Sequence, residues 1–263
     1  MLGAIIGDIV GSRFEWNNCR SKDFEFFAEN CFPTDDSIMT LAIGKALLES
    51  RDDFSDLSAL AVKYMQELGN IYPFAGYGGR FSGWLIADRP EPYNSFGNGS
   101  AMRVSGVAFA AKDEHYVKFL SRKVTAVTHD HPEGLKGAEA VALATYLART
   151  GKSLQEIKDR IERDYYTLDF TLDEIRETYR FNETCQGSVP QALEAVFEST
   201  DFEDAIRNAI SIGGDSDTIA AMAGAVAAAH YGIPPEIRER AVGFLDERLA
   251  GLLAEFEERC GRE

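Results

Sequence analysis

The chain has 263 residues, of which 45% are hydrophobic and 27% charged, enough for one large domain with its own core. Its 43 acidic residues against 27 basic ones leave a formal net charge of −16, which argues against non-specific attraction to nucleic acid or to an anionic membrane surface. The four cysteines (Cys19, Cys31, Cys185 and Cys260) are scattered, with no C-x-x-C pair, and read as reduced thiols of a cytoplasmic protein, not as a disulfide scaffold.

In chain order, MLGAIIGDIVG is apolar but has no basic flank and is interrupted by Asp8, so it is not a targeting segment. TDDSIMTLAIGKALLES carries a helical apolar face with acidic residues in its first turn, and SDLSALAVKYMQEL repeats the pattern after a Ser55 cap. Residues 71–100 are rich in Gly, Pro and aromatics, and read as a functional loop region with at most one short helix. PEGLKGAEAVALATYLARTG stops at Gly151, a residue suited to the position after a helix end. Ser153 with Glu156 and Thr171 with Glu174 are capping boxes that start two further helices. DFEDAIRNAISIGG has an Asp201 cap and a double-glycine stop, and one or two terminal helices follow a proline start. The segment from Thr218 to Tyr231 has small side chains on every face, which places it at the centre of the bundle. The periodicity predicts an all-α protein of roughly ten helices, with no alternating strand, folded as a single domain over residues 1–263.

Four polar clusters carry candidate chemistry. PTDDS holds Thr34, Asp35 and Asp36 at one helix start, and GGDSDT holds Asp215, Asp217 and Thr218 at another. Either cluster alone reads equally well as an N-cap favoured by the helix dipole. Together, carboxylates beside hydroxyls are hard oxygen ligands suited to Mg²⁺ or Mn²⁺ and poorly suited to zinc, and two converging starts would balance two divalent cations. In GDIVGSRFE, Glu15 follows a glycine bend and could reach such a site as a general acid or base. NSFGNGSAMR is a glycine-bearing loop running toward a helix, able to cradle a pyrophosphate with backbone N–H groups. THDHPEG carries His129 and His131 without a third soft ligand nearby. That favours a histidine that stacks or hydrogen-bonds over zinc, with His131 as a helix-entry residue.

Taken in order, GDIVGSRFE, TDDS, YGGRF, NSFGNGSAMR, THDHPEG and GGDSDTIAAMAGAVAAAHYG resemble the ADP-ribosylglycohydrolase family, over residues 3 to about 232. The resemblance implies an all-α fold with a dinuclear Mg²⁺ or Mn²⁺ site at the base of an ADP-ribose cleft. It implies Thr34, Asp35, Asp36, Asp215, Asp217 and Thr218 as metal ligands, and Glu15 as the catalytic glutamate of a mobile loop. Ser95, Phe96 and Gly97, with Asn98 and Gly99 of the same loop, fall where the family holds the diphosphate, and His129 falls near the adenine. Gly78, Gly79 and Arg80 lie on the ribose side. Ser37 stands where many members have threonine, and residues 150–186 match no motif of the family.

The expected reaction is hydrolysis of the bond between ADP-ribose and its acceptor, with either Glu15 or Asp36 handling the proton. The expected working unit is a soluble monomer. A two-metal phosphohydrolase acting on a nucleotide diphosphate and a non-catalytic ADP-ribose binder are the alternatives. The acceptor is left open between arginine, serine, a small molecule and a modified nucleic-acid base, the one route by which nucleic acid would be a partner.

Overall fold

Two helices that abut almost without side chains form the centre of the molecule. The computed structural model describes residues 1–261. In chain order its helices are α1 (Leu2–Gly11), α2 (Asp35–Glu49), α3 (Leu57–Ile71), α4 (Gly79–Leu85), α5 (Ser105–Ala110), α6 (Glu114–Thr125) and α7 (Pro132–Arg149). They continue with α8 (Leu154–Asp164), α9 (Leu172–Ile175), α10 (Cys185–Phe197), α11 (Phe202–Ser211), α12 (Ser216–Tyr231), α13 (Pro235–Val242) and α14 (Glu247–Cys260). Single 3₁₀ turns occupy Ser12–Phe14 and Asn98–Ser100, and the described residues contain no strand beyond an isolated bridge between Gly97 and Thr184. The expected all-α class is therefore observed.

Helix α12 is buried on every face from Ser216 to Ala228, and every residue of α1 is buried as well. Gly3, Gly7 and Gly11 recur at four-residue spacing and so form one stripe of α1. That stripe lies against α12: a methyl group added to Gly7 would sit 2.0 Å from the Ala220 carbonyl oxygen, and one on Gly3 would sit 2.4 Å from the Ala228 Cβ. The small residues let the two backbones touch, with Ile5, Ile6, Ile9 and Val10 filling the core around them. Helices α7, α10 and α11 pack on other sides of α12, and α2 packs against α1 and α3.

Local signals set most boundaries as expected. Both capping boxes are formed, Asp201 caps α11, and Gly151 follows the end of α7 with φ of +86°. Gly213 and Gly214, with φ of +67° and +78°, turn the chain between α11 and α12 in a conformation that side chains disfavour. The expected Ser55 cap is not formed: α3 starts at Leu57, and Asp56 directs its carboxylate to Ser50 Oγ (2.8 Å) and Arg51 N (3.1 Å). The fourteen helices exceed the expected ten because short elements such as α5 and α9 carry less than two turns of pattern. Helix α10 is hidden in the sequence by Gly187 and Pro190, and Pro190 lies inside the helix.

Candidate active site

The starts of α2 and α12 meet. Thr34 caps α2 and Asp215 stands at the head of α12, with Asp36 and Asp217 in the respective first turns. Thr218 Oγ1 donates to Asp36 Oδ2 at 3.2 Å, joining two motifs that lie 182 positions apart in sequence. Above them opens a cavity of about 560 Å³, lined by Glu15, Asp35, Asp36, Asp215, Asp217 and Thr218 on the acidic side. Gly78, Gly79 and Arg80 line one wall, and residues 95–99 with His129 line another. Thr34 is buried beneath the floor.

The floor holds more carboxylates than the two motifs supply. Asp8 of α1, fully buried, accepts from Thr34 N (2.9 Å), Thr34 Oγ1 (2.6 Å), Ser37 N (3.0 Å) and the Ser37 hydroxyl. One carboxylate thus satisfies the exposed amides at the start of α2 and fixes the hydroxyl of Thr34. Oxygen atoms of Asp8, Asp36 and Asp217 lie within 4.8 Å of one another, and so do those of Glu15, Asp215 and Asp217. Asp35 belongs to neither group and stands on the cavity wall, where its backbone N–H donates to Ala75 O at 2.8 Å.

Burial raises the proton affinity of every one of these acids, and repulsion between them adds to it at Glu15, Asp35, Asp36 and Asp217. Asp8 is pushed up to about 6 by desolvation, against the pull of its four hydrogen bonds. Burial, then the charges of Asp8 and Asp215, push Asp35 up to about 8. Asp36 and Asp217 are driven well above the usual carboxylate range by burial and by neighbouring aspartates. Asp215 is raised by burial, offset by Asn98 Nδ2, which donates to its Oδ2 at 2.6 Å. Glu15, half-buried, is pushed up to about 7 by desolvation and then by Asp215. Two oxygens in this cluster, Asp36 Oδ1 and Asp217 Oδ1, are buried with no hydrogen-bond partner. An all-oxygen cluster with unsatisfied inward-facing lone pairs fits one or more hard divalent cations, which would offset the repulsion.

The 3₁₀ turn at Ser12–Phe14 leads into Glu15, and two side chains tie this segment to the double-glycine turn. Asn18 Nδ2 donates to Glu15 O (3.0 Å) and Gly214 O (2.9 Å), and Asn18 Oδ1 accepts from Gly214 N (2.9 Å). Arg20 donates to the carbonyls of Ile212 and Tyr179, each at 2.7 Å. Outside Glu15, Trp16 is 81% exposed and stacks on Phe181, with ring centroids 5.2 Å apart.

The glycine loop is more internally engaged than its sequence suggests. Asn98 N donates to Glu183 O at 2.8 Å and Gly97 N to Ser95 Oγ at 3.2 Å, while Asn98 spends its side chain on Asp215. Phe96 is exposed on the rim and its ring tilts against His131 at 5.2 Å. Arg80 donates to Tyr93 O at 2.6 Å and lies 4.8 Å over the Tyr93 ring. His131 caps α7, accepting from Glu133 N at 3.1 Å, so it is the helix-entry residue expected, whereas His129 reaches the cavity.

A family model described as ADP-ribosylglycohydrolase matches residues 1–262. The chain belongs to the ADP-ribosylglycohydrolase family. Among curated relatives it is 28% identical to the ADP-ribosylhydrolase ARH3 of Gallus gallus, over 97% of this chain and 92% of that one. It is 28% identical to ARH3 of Homo sapiens, over 89% and 84% respectively. The ADP-ribosylarginine hydrolase Tri1 of Pseudomonas putida (strain GB-1) is 25% identical over 91% of this chain and 72% of its own. A solved structure titled ADP-ribosylglycohydrolase-related protein complex superposes with a TM-score of 0.68 at 22% identity, covering 98% of this chain and 95% of the other, and shares its fold.

Sequence reasoning missed Asp8, Asn18, Arg20 and Arg103 around this family site. Asp8 had a signal: a lone acid in the middle of an apolar run needs buried donors. Asn18 and Arg20 had none, since they bind main-chain atoms about two hundred positions away.

Proposed function

We propose that this chain hydrolyses the glycosidic bond between ADP-ribose and its acceptor, with divalent cations as cofactors. One observation carries the reading: the two helix starts bring Asp36 and Asp217 together at the floor of the cavity, each with a buried oxygen that no protein group satisfies. Membership of the family and the activities for which the relatives are named support the substrate class.

Thr34, Asp35, Asp36, Asp215, Asp217 and Thr218 are the proposed ligands of two Mg²⁺ or Mn²⁺ ions. Such ions supply Lewis acidity toward ribose hydroxyls and water. The protein itself does the rest. Asp8 accepts the hydrogen bond of the Thr34 hydroxyl, while Thr34 Oγ1 accepts from Asp36 N at 3.3 Å, which leaves one lone pair of that oxygen for another partner, and Asp8 fixes the pitch of the first turn of α2. Asn98 holds Asp215 in one rotamer. Glu15, whose proton affinity is raised by desolvation and then by Asp215, is the proposed proton carrier. It stands beside the Asp215–Asp217 group and below the open rim, where an acceptor would leave and a water would enter. Positive charge developing on the ribose as the acceptor departs is favoured by the acidic floor. Gly78, Gly79 and Arg80 are assigned to the ribose side, and residues 95–99 with His129 to the diphosphate and adenine side.

The proposed working unit is a monomer. Four free cysteines support a reducing, cytoplasmic setting, and among the described residues no helix is long and apolar enough to cross a membrane. The experiment is a panel of ADP-ribosyl-arginine, ADP-ribosyl-serine and ADP-ribosylated DNA, treated with protein in Mg²⁺ or in EDTA. Release of intact ADP-ribose that stops on chelation is expected. Release of AMP instead would show cleavage of the pyrophosphate and overturn the reading, as would full activity after exhaustive chelation.

A further inference from the structure

The loop NSFGNGSAMR ends in Arg103, which is 1% exposed and lines the inner wall of the cavity. Burial lowers its proton affinity to about 10, so it is a cation at neutral pH. Its guanidinium makes no ion pair with a carboxylate among the described residues. Nη2 donates to Thr128 Oγ1 at 2.6 Å and points to His129 Nδ1 at 3.5 Å, the carbon of the group lies 5.4 Å over the Phe81 ring, and Nε has no partner. Thr128 Oγ1 in turn stands 2.7 Å from His129 Nδ1. Every polar group around that ring nitrogen is therefore a donor or can be one.

A guanidinium has N–H groups and no lone pair to offer, so it can only donate toward Nδ1. It also donates into the Thr128 oxygen, which leaves the Thr128 hydroxyl proton to choose between His129 Nδ1 at 2.7 Å and Thr125 O at 3.4 Å. The shorter contact wins on geometry. A proton on Nδ1 would face two donors and a positive charge in a buried site. We propose that Arg103 and Thr128 are positioning residues that hold His129 in the neutral tautomer with its proton on Nε2, as a fixed donor aimed at the Gly97–Gly99 turn. On that side the ring is close to the loop: a Cβ at Gly97 would come within 3.6 Å of Nε2, and one at Gly99 within 3.7 Å. The same environment drives the histidine well below its ordinary range, by burial and then by the charge of Arg103.

The ligand group seated against this turn is then an oxygen acceptor, never a donor. That consequence rests on the reading of the cavity as an ADP-ribose cleft, whereas the tautomer itself does not. A histidine whose proton is locked by its neighbours discriminates by direction of hydrogen bonding, because a ligand N–H at this position would meet another N–H.

The test is nuclear magnetic resonance of the full chain with ¹⁵N-labelled imidazole rings, read in long-range proton–nitrogen correlations, beside calorimetric titration with ADP-ribose. His129 is expected to show protonated Nε2 and bare Nδ1 through neutral pH. Arg103→Met frees Thr128 to accept from Nδ1, so mixed tautomers are expected, with ADP-ribose affinity lower by roughly tenfold, the scale of one lost hydrogen bond to a charged group. Arg103→Lys keeps a cationic donor and is expected to restore the parent pattern. If Arg103→Met does not fold, Thr128→Val removes the shorter contact with little change of shape, and Thr128→Ser returns it. A parent spectrum with the proton on Nδ1, or a folded Arg103→Met or Thr128→Val protein that keeps the parent pattern and affinity, overturns the proposal. The expected pattern in a protein that does not bind ADP-ribose supports the tautomer assignment and overturns the substrate reading.

Discussion

At the floor of the cleft, Asp36, Asp215 and Asp217 stand at helix starts and are held by buried donors or packed backbone, while the rim is built from segments without regular structure. The floor inherits its geometry from α1, α2 and α12, whose contacts are core contacts. The rim inherits its geometry from Asn18 and Arg20, which staple the Glu15 segment to main-chain carbonyls, and from one exposed aromatic pair. On the proposed function, a site divided in this way would fix what it does to the ribose through its core and leave the acceptor side to replaceable surface groups. Substitutions at the two levels should therefore fail in different ways.

The largest expected effect comes from the acid that the rim segment carries down to the Asp215–Asp217 group. Glu15→Gln should lower turnover by roughly a hundredfold or more, the range for loss of general acid–base catalysis, with ADP-ribose affinity little changed. Single-turnover rates and calorimetry separate the two quantities, and unchanged turnover would remove Glu15 from its role. Next comes a floor residue outside the proposed set of ligands. Asp8→Asn puts an amide N–H₂ against the donors of Thr34 and Ser37, and should weaken Mg²⁺ affinity about 10- to 100-fold, as loss of an outer-shell partner does. Magnesium titration by melting temperature reads this directly, since Mg²⁺ at a hundred times its Kd should add about 2.7 kcal/mol to the parent. An Asp8→Asn protein with the parent's Mg²⁺ response would show that the brace is dispensable.

Gly7→Ala should damage the fold before the chemistry. The added methyl meets the Ala220 carbonyl, and overpacking of this kind costs about 1–3 kcal/mol in denaturant melts. A protein of parental stability would mean that α1 and α12 separate easily, contrary to the division drawn here. The acids of the cavity together set a pH dependence. Carboxylates whose folded pKa lies above the unfolded value contribute stability that is fully present below about 4 and is lost as pH rises through the folded values. Asp8 at about 6, Glu15 at about 7 and Asp35 at about 8 place that loss between about pH 4 and 8. In EDTA the melting temperature should fall across this window, and in saturating Mg²⁺ the fall should shrink, because cations replace protons on the same oxygens. Identical slopes in the two media would contradict a cation site at the floor. The smallest effect is expected at the outer rim. Trp16→Ala removes a stacked pair worth about 0.5–1.5 kcal/mol, and should raise KM a few-fold for acceptor-bearing substrates without altering affinity for free ADP-ribose.

The same division explains what was legible in the sequence. Helix starts announce themselves through caps, so PTDDS and GGDSDT marked the floor, and the small-residue run of α12 marked the centre of the bundle. Asp8 was visible only as an interruption, because its partners at Thr34 and Ser37 are 26 and 29 positions away. Glu15 could be placed by resemblance but not by pattern, since a glutamate after a glycine bend is common on any surface. Asn18 and Arg20 act on backbone atoms, which carry no residue identity, and no periodicity reports such contacts. Arg103 lay inside a recognised motif, yet its meaning depends on its contacts with Thr128 and His129 and on its forming no ion pair among the described residues, which only packing reveals.

The glycine stripe of α1 has a consequence for how this protein can change over generations. Core distances elsewhere depend on side chains, and exchanges among Leu, Ile and Met let such layers swell or shrink by fractions of an ångström. Between α1 and α12 there is almost nothing to exchange: Gly11 faces the Cα of Asp217 itself, where a methyl would lie 2.5 Å away. The gap between the acid on one helix and the acid on the other is thus gauged by bare main chain, which has no size variants. The remaining core can drift in sequence while this one spacing is copied unchanged.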